Sequence, residues 1–219
     1  MKNIFMKVKL VVFDGEGIVY NCGKVIEVFR KEYSKFLKKF GVKYKDQHKE
    51  WLKYYPKIIR GKIKLREVNE IVYKKFGIPK SKVREWLKKD KEINVKYVRV
   101  YRDIKRIMEE LKKRRIKVAI LSNSVHPLRW KIEMLKKIGI EKGKHYDKIF
   151  HSNMIGFEKP EKEAYLFVLK YFGVKPEESV FVGHDKEEVD GARKVGMKVI
   201  KLRRNRKKVS FEDFWKKLE

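Results

Sequence analysis

Short apolar runs alternate with stretches of helical periodicity along most of this chain, and that alternation constrains its fold more than any other feature. Residues 7–14 (KVKLVVFD) are rich in Val, Leu and Phe and are followed at once by glycines. They read as a buried strand. Similar runs recur at 117–121 (KVAIL), 148–151 (KIFH), 179–182 (SVFV) and 198–202 (KVIKL). Between them, residues 101–115, 127–138, 161–172 and 187–195 carry apolar side chains at spacings of three and four, as one face of a helix requires. Strand and helix in turn predict an α/β architecture: a doubly wound parallel sheet, helices on both faces, ligands at the carboxyl ends of the strands.

Residues 21–95 break the pattern. No convincing strand is visible there. Helical spacing runs through 24–40, 46–59, 65–76 and 81–89, punctuated by Gly41, Gly61 and Gly77-Ile78-Pro79. We read this stretch as an inserted all-helical module, with 1–20 and 96–219 forming the α/β core. Its 23 Lys and Arg against 9 Asp and Glu make it the more basic part of a chain that carries 59 Lys and Arg, 29 Asp and Glu, and a net charge of +30. Two explanations compete: a charge-rich, heat-adapted surface, or a field that draws polyanions, nucleic acid included. The run at 203–208 (RRNRKK) is the densest basic cluster.

With 42% hydrophobic residues in 219, the chain has enough apolar side chain to offset the entropy of ordering. Cys22 is its single cysteine, so no disulfide within the chain forms. No apolar stretch approaches the roughly 18 residues of a membrane span, and no signal peptide is visible. A cytoplasmic protein without a membrane partner is expected.

Four motifs carry chemistry. Asp14 closes the first run, ahead of Gly15-Glu16-Gly17. Ser122-Asn123-Ser124 follows the second run directly. Lys159 precedes Pro160. The run VFVGHDKEEVDGARKVGM ends a strand with an acidic cluster and opens a helix. Each has a purely local explanation: Asp and Gly make turns, Ser caps helices, and acids favour a helix's first turn. Their order is what speaks for a shared site. A strand-end Asp, a strand-end Ser, a Lys and a strand-end acidic cluster together resemble the haloacid dehalogenase (HAD) superfamily, with 21–95 in the place of that family's helical cap. The likeness covers essentially the whole chain.

That resemblance implies a Rossmann-like core and a hydrolase in which Asp14 is the nucleophile and forms an aspartyl-phosphate. Ser122 and the backbone amide of Asn123 would bind the phosphoryl group, Glu16 would transfer protons and Lys159 would neutralise charge. Magnesium would be the cofactor, held by Asp14, Glu16, Asp185 and Glu188. Two positions depart from the family pattern: Glu16 replaces its second Asp, and His184 replaces its metal-binding Asp. A histidine suits Mg²⁺ poorly, so Asp185, next in the chain, and Glu188 are the expected replacements, while Asp190 decorates the following helix. A small phosphorylated substrate is implied. The alternatives are a catalytically weakened protein of the same fold that binds nucleic acid or an acidic partner, and a dehalogenase.

Overall fold

The apolar runs do form one parallel sheet. The structure, a computed structural model, describes residues 8–202 and 209–218; the basic run 203–208 and Lys7 lie outside the described residues. In chain order the strands are β1 (Leu10–Asp14), β2 (Tyr20–Asn21), β3 (Arg99–Val100), β4 (Lys117–Ser122), β5 (Lys148–His151), β6 (Ser179–Gly183) and β7 (Lys198–Lys201). Five of them make the sheet, in the order β5-β4-β1-β6-β7, so β1 lies at its centre. Register brings Asp14 opposite Leu121, one residue before Ser122, and Phe13 opposite Val182. Two carboxyl ends therefore open beside Asp14, as the switch-point rule for open α/β sheets requires.

All five residues of β1 are buried because the sheet is covered twice. Val11 and Phe13 face a core shared with α6 (Arg102–Lys113), α7 (Leu128–Lys137) and α11 (Phe211–Lys216). Leu10 and Val12 face the opposite layer, built on α9 (Lys162–Phe172) and α10 (Lys186–Lys194). Strand residues alternate between faces, so one apolar strand serves both cores. On α6 the buried residues are Ile104, Ile107, Met108 and Leu111, at three- and four-residue spacings. Each contributes about 1.5–3 kcal/mol by leaving water.

The helical segment lies between β2 and β3 and comprises α1 (Gly23–Lys38), α2 (Tyr44–Leu52), α3 (Tyr55–Ile58), α4 (Leu65–Lys75) and α5 (Ser81–Tyr97). The single helix expected over 46–59 is two, because Pro56 sits in the first turn of α3 and cannot continue α2. The last helix runs eight residues beyond the expected Lys89. Sequence reading also missed the ribbon at the base of the segment: β2 and β3 pair antiparallel, Tyr20 with Val100 and Asn21 with Arg99. Two-residue strands leave no periodicity to detect. The segment packs on the core through Trp130 of α7, which joins Leu65, Val68 and Val72 of α4 in one cluster. Arg60 clasps Glu158 at 2.9 Å and Glu161 at 2.6 Å. Among the described residues no helix is long and apolar enough to cross a membrane.

Candidate active site

At the end of β1 the Asp14 side chain is 7% exposed and touches two basic side chains. Lys159 Nζ donates to Asp14 Oδ1 at 2.5 Å, and His184 Nδ1 lies 3.1 Å from Asp14 Oδ2. Burial alone would push this carboxyl up, but the Lys159 charge and the hydrogen bonds from His184 and Lys159 outweigh it and hold the pKa below the ordinary value. Asp14 is thus an ionised carboxylate in a dry place. Lys159 is almost fully buried and also donates to Glu188 Oε2 at 2.6 Å. Desolvation would lower its pKa, yet the charges of Asp14 and Glu188 raise it. The ammonium therefore keeps its proton.

The phosphate-binding residues expected at the end of β4 stand close by. Ser122 is buried, its Oγ 3.4 Å from the hydroxyl of Tyr20. Tyr20 in turn accepts a hydrogen bond from Lys131 Nζ at 2.6 Å. Gly15 makes this convergence possible: a Cβ there would come within 2.5 Å of the Tyr20 hydroxyl and 2.9 Å of Ser122 Oγ. Asn123 has a task that its expected role did not include. Its side chain accepts from Lys159 N and donates to Lys159 O, both at 2.9 Å, and so clamps the backbone that carries the Lys159 ammonium. Neither Tyr20 nor Lys131 was legible as a site residue, since nothing in the sequence separates Lys131 from the other lysines.

Glu16 stands at the mouth of the cleft, open to solvent on one side. Desolvation by the cleft walls is the main cause of its raised pKa; Lys131 opposes the rise and the Asp14 charge adds to it. A carboxyl that keeps its proton above the usual range suits a general acid.

The expected magnesium ligands do not form a shell. Among the described residues no three acidic, histidine or cysteine side chains converge on a cation position. Asp185 caps α10, its carboxylate accepting from Glu188 N at 3.1 Å. Glu188 is turned to Lys159, and its pKa is raised, by burial first. Asp190, as expected, decorates the helix surface, paired with Lys186 and Arg193. The space beside Asp14 Oδ2 belongs to His184, whose ring lies over Gly17: a Cβ at Gly17, where φ is +78°, would meet the ring at 2.5 Å. As arranged, these residues do not fit Mg²⁺; an imidazole stands where an oxygen-liganded cation would need room.

A cavity of about 420 Å³ opens from Glu16, Ser122, Asn123 and Lys131 into the helical segment. Of that segment's 23 Lys and Arg, Arg30 alone lines it. The segment's basic charge faces mostly away from the cavity.

Fold and site together define an α/β protein with a buried carboxylate, Asp14, at the end of its central strand. The chain belongs to the haloacid dehalogenase-like hydrolase family, whose model matches residues 62–202. It is 24% identical over 204 residues to a glyceraldehyde 3-phosphate phosphatase of Methanopyrus kandleri, covering 91% of this chain and 85% of that one. Among solved structures, a 2-haloacid dehalogenase from Pseudomonas syringae pv. Tomato superposes with a TM-score of 0.71 at 15% identity, covering 96% and 98% of the two chains. A HAD-family enzyme from Bacteroides thetaiotaomicron, in complex with magnesium and inorganic phosphate, gives 0.63 at 15% identity over 90% and 96%. At such identities the two structures speak for the fold alone.

Proposed function

We propose that the protein hydrolyses small phosphate monoesters through an aspartyl-phosphate on Asp14. The observation that carries this reading is a buried carboxylate kept ionised by Lys159, with Ser122 and the Asn123 backbone at the next strand end. Phosphatases among the relatives support it. An Asp14 carboxylate oxygen attacks phosphorus as the bond to the leaving oxygen breaks, and Glu16 gives that oxygen its proton. Glu16 then takes a proton from water, whose oxygen attacks phosphorus and frees phosphate and Asp14. Lys159 offsets the repulsion between carboxylate and phosphate dianion, and Ser122 holds a phosphoryl oxygen. The helical segment acts as a cap that covers the reacting atoms. No step in this reading runs through magnesium; the Lys159 ammonium and the His184 ring stand on either side of the Asp14 carboxylate.

A dehalogenase shares the nucleophile and is the second reading. One experiment decides between them. Protein quenched during turnover of a radiolabelled phosphate monoester should carry label that hydroxylamine removes, and Asp14→Asn protein should carry none. Halide release from 2-chloropropionate, with no phosphate release from any monoester, would overturn the phosphatase reading.

A further inference from the structure

The cavity above Ser122 is far larger than a three-carbon phosphate needs, and its volume falls in the range of sites that hold drug-sized ligands. Its upper walls are rings. Phe29 and Tyr33 of α1 meet Trp86 of α5, with Tyr33 and Trp86 stacked at 4.3 Å and Phe29 edge-on to Trp86 at 5.5 Å. From α2, Tyr44, His48 and Trp51 form a near-parallel series, at 5.3 Å and 6.3 Å between successive centroids. Tyr33 joins the two groups, edge-on to Tyr44.

Buried polar side chains interrupt this aromatic lining, Gln47, Asn69 and Asp90 among them. Gln47 is 1% exposed, and its Nε2 is a buried donor without a partner among the described residues. Such a donor is costly to a fold unless a ligand or water satisfies it. Asp90 is 4% exposed; Oδ1 accepts from Asn94 Nδ2 at 2.8 Å, and Oδ2 lies 3.3 Å from His126 Nε2. With about four lone-pair sites on the carboxylate, it has room for another N–H. Gln47 offers a donor and Asp90 an acceptor, both on a cavity walled in part by aromatic side chains.

We infer that this cavity selects a phosphate monoester whose leaving group carries a planar ring with adjacent N–H and C=O groups, as in an oxo-base nucleoside 5′-monophosphate. Stacking on the rings would hold the plane, Gln47 would donate to the ring carbonyl, and Asp90 would accept from the ring N–H. The inference rests on the phosphatase reading for its chemistry, but the recognition can be measured apart from it.

Steady-state kinetics of the intact protein come first. kcat/KM for guanosine 5′-monophosphate should exceed that for glyceraldehyde 3-phosphate and ribose 5-phosphate by at least about tenfold, the scale of one base–aromatic stack. Equal or better turnover of the ring-free phosphates overturns ring selection and leaves the phosphatase reading standing. If no monoester is turned over, the phosphatase reading falls, and tryptophan fluorescence of Asp14→Asn protein decides the inference. Saturable quenching by guanosine 5′-monophosphate and not by ribose 5-phosphate supports it; equal responses, or none, overturn it. Gln47→Leu removes an unpartnered donor and so should fold. It should abolish the preference for guanosine over adenosine 5′-monophosphate, since adenine has no ring carbonyl, and an unchanged preference would overturn the Gln47 contact.

Discussion

The carboxyl edge of the sheet and the helical segment above it solve different problems with opposite materials. At the edge, four ionisable side chains are locked to one another within about 3 Å: Asp14, Lys159, Glu188 and His184. Above it the cavity is lined by aromatic, aliphatic and polar side chains together, and the buried Gln47 Nε2 on it has no hydrogen-bond partner among the described residues. Bond making demands fixed distances, which parallel register supplies. Selection demands a lined space, which five helices supply without shared register. Substitutions at the edge should therefore change rate and stability steeply, and those above it should change preference.

The largest expected effect is at Asp14, the proposed nucleophile. Asp14→Asn should lose at least about 10⁴-fold in kcat, the scale of removing a covalent catalyst, while remaining folded, because Lys159 still has Glu188. Phosphate release and circular dichroism measure the two; an active variant would break the contrast at its root. Lys159→Met should fail on both counts. It leaves Asp14 and Glu188 buried without their shared cation, at a cost of about 3–5 kcal/mol, or roughly 10 °C in Tm for a chain of this size.

His184 sharpens the picture of the edge. His184→Asp returns an oxygen ligand to the space beside Asp14 Oδ2. Its turnover should be stimulated by Mg²⁺ and suppressed by EDTA several-fold more than that of the natural protein. Natural protein silenced completely by EDTA would show that the ring gives way to a metal.

The smallest effect is on stability against pH. His151 is fully buried, and burial, followed by the nearby charges of Lys131 and His126, lowers its pKa to about 3 from an ordinary 6.5. The unfolded chain then binds a proton that the folded one refuses, so stability is complete above pH 6.5 and falls as pH drops towards 3. From pH 7 to 5 this residue should remove about 2 kcal/mol, at about 1.4 per pH unit. Urea titrations of natural and His151→Leu protein at both pH values isolate that share, since His184, whose pKa the Asp14 hydrogen bond raises, titrates in the opposite sense in both.

The same contrast explains what could be read from the sequence. Asp14, Ser122 and the acidic cluster sit at strand ends, and strand ends in a parallel sheet fall side by side, so linear order sufficed to bring them together. Asn123 clamps Lys159 across 36 positions, and no periodicity connects the two. Asp185 was expected at a metal and is bound instead to its own helix's backbone, since an Asp before a helix satisfies the free amides of the first turn. Gln47 and Asp90 were invisible for a different reason. Helical spacing identifies a buried stripe but does not say whether a polar residue on it faces a packed neighbour or an open cavity.

The central position of β1 also sets the tempo at which this molecule assembles. Leu10 pairs with Lys117 on one side and Ser179 on the other, both more than a hundred residues later in the chain. Contacts so distant in sequence form slowly, and during synthesis the strand LVVFD waits with both edges bare. Such an edge is a template for pairing with other chains. The net charge of +30 makes nascent copies repel one another throughout that wait, a service rendered before any substrate is met.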